Sequence, residues 1–395
     1  MPAVHQPQYE VHVPPSDSDV PAASTSVCEV VKNLDSVVSH IPSGTLDPVV
    51  DIMSACDPKV LNPRTAISTI GEYINKALPL FHLHFVLAAD ATLISVSWGH
   101  VAMDGLGCGH IVTAWEEELN GLPAAAIYDD PDPATLFDFT NDIYVDPKWT
   151  RPGWIRLTTW DFAKFFAFYL YESYWYPRVD GQIFITKALV DHWQKNAKKE
   201  LPANEWVSRN DLVLAWAMKY AWTYFPENEI LVMFNSICLR GRHPQLPQSV
   251  ITNTATSYTT PPLTNLEIRN KSLTQLALTI RQSVNVFTDT DYVGKVLAVE
   301  HRRVKANNGG IDWFPMGSLK AQHFGTVSWA KIGLSSVKFG KELSTVATTT
   351  YSTRRQCATV IDSEEGDFRL EAKLPTQAWK LMQVQMEIEK QNLKV

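Results

Sequence analysis

The chain has 395 residues, 45% of them hydrophobic, enough to bury one large core or two medium ones, and its length favours two or three domains, of which two are expected. Its 35 Lys and Arg against 42 Asp and Glu leave a net charge of −7, which argues against nucleic acid as a partner, because neutralising phosphates takes clustered basic charge. No apolar run is long enough to span a bilayer, and the five cysteines, Cys28, Cys56, Cys108, Cys238 and Cys357, are odd in number and scattered, as free thiols of a reducing compartment are.

In chain order, residues 1–27 read as an extended arm, with Pro2, Pro7, Pro14, Pro15 and Pro21 set among Ser and Asp. That start is polar where a secretory leader would be apolar, so the expected location is cytoplasmic. Mixed helix and strand follow to about Leu122. Phe81-His82-Leu83-His84 puts two imidazoles on one strand face. Two such ligands with His100 as a third would suit zinc, but the alternation equally suits a half-buried strand, and no metal is expected. From Ala91 to Gly99 the period is two, with Ile94, Val96 and Trp98 on one face, so this stretch is a strand. Ile111, Ala114, Trp115 and Leu119 then recur at helical spacing, and Gly121 stops the helix. Residues 123–152 carry too many Pro and Asp for a regular element and read as a surface connection. Trp160 to Arg178 is very aromatic and reads as a buried helix, part of it able to line an apolar pocket. Gly181 to Val190 looks like a strand, and QKNAKKELPANEW like a polar loop or crossover before the second half.

Between that first strand and helix lies WGHVAMDGLG, which sets His100 and Asp104 around a three-residue spacer with Gly105 next. An imidazole titrates near 6.5 in water, so His100 suits a general base that takes a proton from a hydroxyl or amine. The acceptor then attacks a thioester directly, and no covalent enzyme intermediate is needed. Asp104 fits a structural role, pinning the turn by pairing with an Arg, and Gly105 lets the backbone bend or approach a ligand. A thiol nucleophile at Cys108 is the competing reading, although the Gly-Cys-Gly setting suits close packing better. Gly105, Gly107 and Gly109 are spaced too closely for a dinucleotide fingerprint.

Further segments in the same order resemble the BAHD family of acyl-CoA-dependent acyltransferases, in its fungal branch. LPLFHLHFVLAADATLISVSWGHVAMDG resembles the strand, loop, strand and HxxxD motif that close the family's first half. SRNDLVLAWAMKYAW, from Ser208 to Trp222, resembles the helix that opens its second half, and NSICLRGRHPQLP, from Asn235 to Pro247, its Arg-rich strand and turn. ITNTATSY supplies Asn253 and Thr254, LALTIRQSV the next helix, and GDFRLEAKLPTQAWKLM the closing strand and helix. Leu34 and Asp35 are a remnant of an early Leu-Asp pair. The second signature, Asp-Phe-Gly-Trp-Gly, is eroded: VSWAKIGLSSVKFGK keeps Phe339 and Gly340 but has Lys338 in the Asp position and no Trp. His323-Phe324-Gly325 is a second place where it aligns, also without the Asp. The segment from Asp35 to Pro79 is short for the family.

The resemblance implies an α/β fold with two similar mixed-sheet domains of the CoA-dependent acyltransferase, chloramphenicol-acetyltransferase-like, type and an active site in a channel between them. The halves are expected at 28–190 and 191–395. It implies His100 as base, Asp104 as a structural partner, Gly105 beside them, and substrate or CoA contacts from Ser208, Asn253, Thr254, Ser328, Phe339, Gly340 and Thr349. Arg240 is the expected structural Arg, held in the family by the second signature's Asp, so that Lys338 would repel it. The implied co-substrate is acyl-CoA, with no permanently bound cofactor, a small-molecule acceptor, no membrane partner and a monomeric chain. Two rival readings stand beside acyl transfer: a repurposed lyase, isomerase or cyclase that works without CoA, and a non-catalytic ligand-binding relative.

Overall fold

The computed structural model describes residues 24–29, 33, 47–52, 79, 81–100, 102–123, 136–306, 313–314, 317, 321–330, 332–339, 357–362 and 366–393. Leu34, Asp35, Gly340 and Thr349 lie outside these residues. In chain order the elements are β1 (Ser24–Glu29), β2 (Val49–Ile52), β3 (Phe81–Leu87), β4 (Thr92–Trp98), α1 (Gly105–Leu119), β5 (Ile155–Arg156), α2 (Thr159–Trp175), β6 (Arg178–Ile185), α3 (Lys187–Glu200) and α4 (Arg209–Ala221). They continue as β7 (Ile230–Cys238), β8 (Ala255–Thr259), β9 (Leu263–Thr264), α5 (Asn265–Asn270), α6 (Leu273–Asn285), α7 (Thr290–Ala306), β10 (Trp313–Phe314), β11 (Gln322–Ser328), β12 (Cys357–Asp362), β13 (Phe368–Pro375) and α8 (Thr376–Leu393). The fold is α/β with mixed sheets.

An eight-stranded sheet runs β2-β6-β13-β12-β11-β7-β8, with β9 added on β7. Parallel pairs join β11 to β7 and β12, and antiparallel pairs make the rest. Strict alternation decides its core face: Val50, Ile183, Leu370 and Val360 stand opposite one another and are buried. They join the core with Trp216 of α4 and Trp379 of α8, both fully buried. The Trp379 indole donates to Val179 O at 3.0 Å and lies where a side chain on Gly181 would stand. A smaller sheet has the order β1-β3-β4, parallel between β1 and β3 and antiparallel between β3 and β4. Phe81, Val96 and Trp98 pack against Met103, Cys108 and Val112 beside them, so α1 lies against this sheet.

Three expectations are corrected. The arm placed at residues 1–27 ends in structure, because Ser24 to Val27 belong to β1 and pair with β3. Residues 187–200 are a helix rather than a strand end and a polar loop: Thr186 caps it, and Leu189, Val190, Trp193 and Ala197 form a buried stripe at helical spacing under a lysine-rich solvent face. The aromatic segment does form a helix, α2, but not a buried one. Trp160, Phe162, Phe166, Leu170, Tyr171, Tyr174 and Trp175 are all more than half exposed. A helix with aromatic residues on every side cannot turn all of them inward, and among the described residues Phe165 lies edge-on to His323 of the sheet.

The large sheet also draws on both sides of the boundary expected at residue 190, since β2 and β6 pair with each other and β6 with β13. Within the connection, Leu136, Thr140 and Arg151 are buried. Arg151 donates to Thr256 Oγ1 at 2.8 Å, pairs with Glu300 and with Ser257 O, and lies over the Trp154 ring. The residues before α2 are thereby fastened onto β8.

Candidate active site

The strand β4 ends at Trp98, and the chain turns through a buried Gly99 to His100, whose side chain is exposed. Three interactions hold this turn. Ala102 N donates to Gly99 O at 2.9 Å, the Trp98 indole donates to Met103 O at 3.1 Å, and Asp104 begins α1. As the N-cap, Asp104 accepts from Gly107 N at 3.0 Å, satisfying one of the free donors of the first helical turn.

Asp104 also bridges to the large sheet. Arg240 Nη1 donates to its Oδ1 at 2.8 Å and Oδ2 at 2.6 Å, while Thr254 donates to Oδ2 from its amide at 2.9 Å and its hydroxyl at 3.2 Å. Burial opposes ionisation of this carboxyl, but the Arg240 hydrogen bond and charge, with the Gly107 and Thr254 amides, prevail and hold it below the usual aspartate value. Arg240, its side chain fully buried, spends its other donors on Val250 O at 2.7 Å, Thr252 O and the Cys238 thiol at 3.4 Å. The pair therefore joins two segments more than a hundred residues apart and carries no net charge into the interior.

Across from the turn, Asn253 Nδ2 lies 2.9 Å from His100 O and 3.2 Å from His100 Nδ1. The first is a donated bond that fixes the backbone of the turn. The second sets the tautomer. When Nδ1 accepts from Asn253, the neutral ring carries its proton on Nε2; when Nδ1 carries the proton, Asn253 keeps the carbonyl bond alone and Nε2 is free to accept. Moving between these states gives up one neutral hydrogen bond, about 1 kcal/mol.

The glycines of the motif serve close packing. A Cβ on Gly105 would stand 2.9 Å from Ile332 Cδ1 and 3.8 Å from the Trp329 ring, and one on Gly109 would land on the Ile332 carbonyl oxygen. The Trp329 ring is also 6.1 Å from that of Trp98. The loop after β11 is thus pressed onto α1 along its glycine face. Gly109→Ala is expected to destabilise the protein by about 1–3 kcal/mol, since backbone has to shift; unchanged urea denaturation would show that this loop is not docked there.

The remaining expected residues divide. Asn253 meets His100, and Thr254 is used by Asp104. Ser208 is the N-cap of α4 in a capping box with Asp211, and its hydroxyl also accepts from Arg281 at 2.8 Å. Ser328 donates to Asn210 Oδ1 at 2.9 Å. The hydroxyls of Ser208, Ser328 and Thr254 are all engaged within the protein. Phe339 packs on Trp115 with ring centroids 4.6 Å apart and planes tilted by 53°, Lys338 N donates to Glu116 Oε1 at 2.6 Å, and Lys338 O accepts from Asn120 at 3.3 Å. The eroded signature packs on the far half of α1, so Lys338 does not face Arg240, and Asp104 supplies the carboxylate expected from that position. Nothing in the sequence pointed to the carbonyls of Val250 and Thr252 as holders of Arg240, because any residue type can offer a carbonyl.

Cys108 is buried inside α1, and burial pushes its thiol up to about 12. A thiol so placed is not a nucleophile at neutral pH. Native protein treated with iodoacetamide at pH 8 is expected to leave Cys108 unlabelled in peptide mass spectra; fast labelling would reopen that reading. His82 and His84, both buried, contact Ser26 Oγ at 3.1 and 2.8 Å. Among the described residues no group of His, Cys, Asp and Glu is arranged to hold a metal, and no helix is long and apolar enough to cross a membrane.

No family profile matches the chain. It is 25% identical over 285 residues to the transcriptional regulator calD of Penicillium decumbens, covering 67% of this chain and 55% of that protein. It is 23% identical over 300 residues to the O-acetyltransferase PaAT-2 of Phomopsis amygdali, covering 70% and 61%. The chain thus spans somewhat over half the length of these relatives. Among solved structures it is similar to F. sporotrichioides TRI101 complexed with coenzyme A and T-2, with a TM-score of 0.67 and 14% identity over 92% of this chain and 79% of that one. Vinorine synthase matches with a TM-score of 0.58 and 15% identity over 93% and 76%.

The architecture is therefore that of the CoA-dependent acyltransferases, of the chloramphenicol-acetyltransferase-like type. By sequence the chain is similar to fungal proteins named acetyltransferases as well as to one named a transcriptional regulator.

Proposed function

We propose that this chain carries the acyl-transfer site of an enzyme that moves an acyl group from acyl-CoA to a hydroxyl or amine of a small secondary metabolite. The observation that carries this reading is an exposed histidine on a turn locked by a buried aspartate, arginine and helix cap, with Asn253 against the ring. In the Nδ1-protonated tautomer, His100 Nε2 takes the proton of the acceptor as its oxygen or nitrogen attacks the thioester carbonyl. The tetrahedral intermediate collapses with loss of the CoA thiolate, which takes up the proton from His100. Asp104 stays ionised and structural throughout. The halves 28–190 and 191–395 would flank the channel in which donor and acceptor meet. Bound acyl-CoA is a substrate, and the chemistry needs no resident cofactor.

A second reading, a relative that binds ligand without turnover, is favoured by the relatives named transcriptional regulators and by the eroded signature. Incubation with acetyl-CoA and longer acyl-CoAs across a panel of hydroxylated and amino metabolites, read by mass spectrometry, separates the two. An acceptor gaining the mass of the acyl group supports transfer. Acceptor binding without any product, whatever the donor, supports the second reading.

A further inference from the structure

Two arginines sit two residues apart after β7 and are treated in opposite ways. Arg240 is fully buried and matched by Asp104. Arg242 is half-buried, and among the described residues no carboxylate pairs with it. Its Nε donates to Cys238 O at 2.9 Å and its Nη1 to Phe287 O at 3.3 Å, both neutral carbonyls. Its Nη2 has no partner among the described residues. Burial and the nearby Arg281 charge lower its pKa, though the Cys238 and Tyr258 groups pull the other way. A guanidinium that is partly stripped of water and lacks a counterion is a favourable place for an anion.

The space beside it is built. Gly241, at φ +67°, turns the chain sharply, and Gly241 N donates to Leu246 O at 2.7 Å. The turn and Thr290 border an open cavity of about 310 Å³ lined by Arg242, His243, Thr290 and the apolar faces of Pro244, Leu246 and Pro247. His243 Nδ1 accepts from Gln245 N at 3.3 Å, so its neutral ring carries the proton on Nε2 and has a donor to offer, while the ring stacks on Phe139 at 4.6 Å. Burial pulls His243 below the usual histidine value, so the ring stays neutral at pH 7 and Arg242 is the cation of the cavity. Of the neighbouring acids, Asp289 turns its Oδ1 onto the amides of Asp291 and Tyr292, and Asp291 is exposed on the first turn of α7.

We propose that this cavity binds an anionic group of a small molecule, a phosphate or a carboxylate, on Arg242 with His243 and Thr290 as neutral hydrogen-bonding partners. The proposal does not rest on acyl transfer. The anion has two possible sources, the phosphorylated end of a coenzyme A molecule and an acidic metabolite, and binding alone tells them apart.

The test is calorimetric titration of the full chain with adenosine 3′,5′-bisphosphate, inorganic phosphate, citrate and pantetheine, the last carrying no anionic group. At least one anionic probe is expected to bind, and Arg242→Gln is expected to weaken it about 10- to 100-fold, as loss of a charge-assisted hydrogen bond does. Arg242→Lys should recover part of that loss, and pantetheine binding should be the same in all three proteins. Tight binding of the bisphosphate with displacement by coenzyme A assigns the coenzyme, and preference for citrate assigns an acidic metabolite. No binding by any anionic probe, or equal affinity in Arg242→Gln with the melting temperature unchanged, overturns the proposal. Acyl transfer that proceeds while Arg242→Gln leaves anion affinity unchanged would sink this inference and leave the proposed function standing.

Discussion

Replacing Asp104 by alanine is expected to cost about 3–5 kcal/mol of stability, the range found when one partner of a buried ion pair is removed. The loss comes from what stays behind. Arg240 keeps its charge with its side chain fully buried, Thr254 loses the acceptor for its amide and hydroxyl, and Gly107 N loses its cap. Asp104→Asn removes the charge but keeps an oxygen for the cap and should fall between alanine and the native protein. Acid should act in the same direction. The folded carboxyl titrates below its unfolded value, so its contribution is fully present above the unfolded pKa, near 3.9, and is lost as pH falls through the folded one. Urea denaturation at pH 7 is the check. A loss below about 1 kcal/mol in Asp104→Ala would mean that the ion pair does not hold the turn in solution.

His100→Ala is expected to behave in the reverse manner, lowering acyl transfer about 10²- to 10⁴-fold while stability moves by no more than about 0.5 kcal/mol. The ring is exposed, and the bond from Asn253 to the His100 carbonyl belongs to the backbone and survives the substitution. The contrast matters, because a histidine whose removal unfolds the protein would be a packing residue. Melting temperature and acceptor affinity, measured on the same preparation, separate the two roles: both should match the native protein while product formation falls.

Much of this site was legible in the sequence because its parts obey local rules. The period of two before Gly99 and the helical spacing after Ile111 put His100 and Asp104 in a strand-to-helix turn; that the helix begins at Gly105, with Asp104 as its cap, shows only in the fold. The pairing of Asp104 with Arg240 was reachable only as an expected partner type plus a candidate Arg, since nothing local links positions 136 residues apart. Misreadings occurred where local pattern underdetermines the outcome. LVDHWQKNAKKE has a polar majority that hid its buried stripe of Leu189, Val190, Trp193 and Ala197. The aromatic richness of α2 suggested burial, but what covers a helix is decided by its neighbours, and composition does not report them. Lys338 was set against Arg240 by alignment with a signature, whereas the fold lays that stretch along Trp115 and Glu116.

The most direct test of the central claim is release of free thiol from acetyl-CoA in the presence of acceptor, followed side by side for the native protein and His100→Ala at equal folded concentration. Acceptor-dependent thiol release by the native protein, reduced at least about 100-fold in the variant, is the result predicted for a general base at His100. Equal release by both proteins would contradict that role, and no acceptor-dependent release from any acyl-CoA would contradict the transferase reading itself.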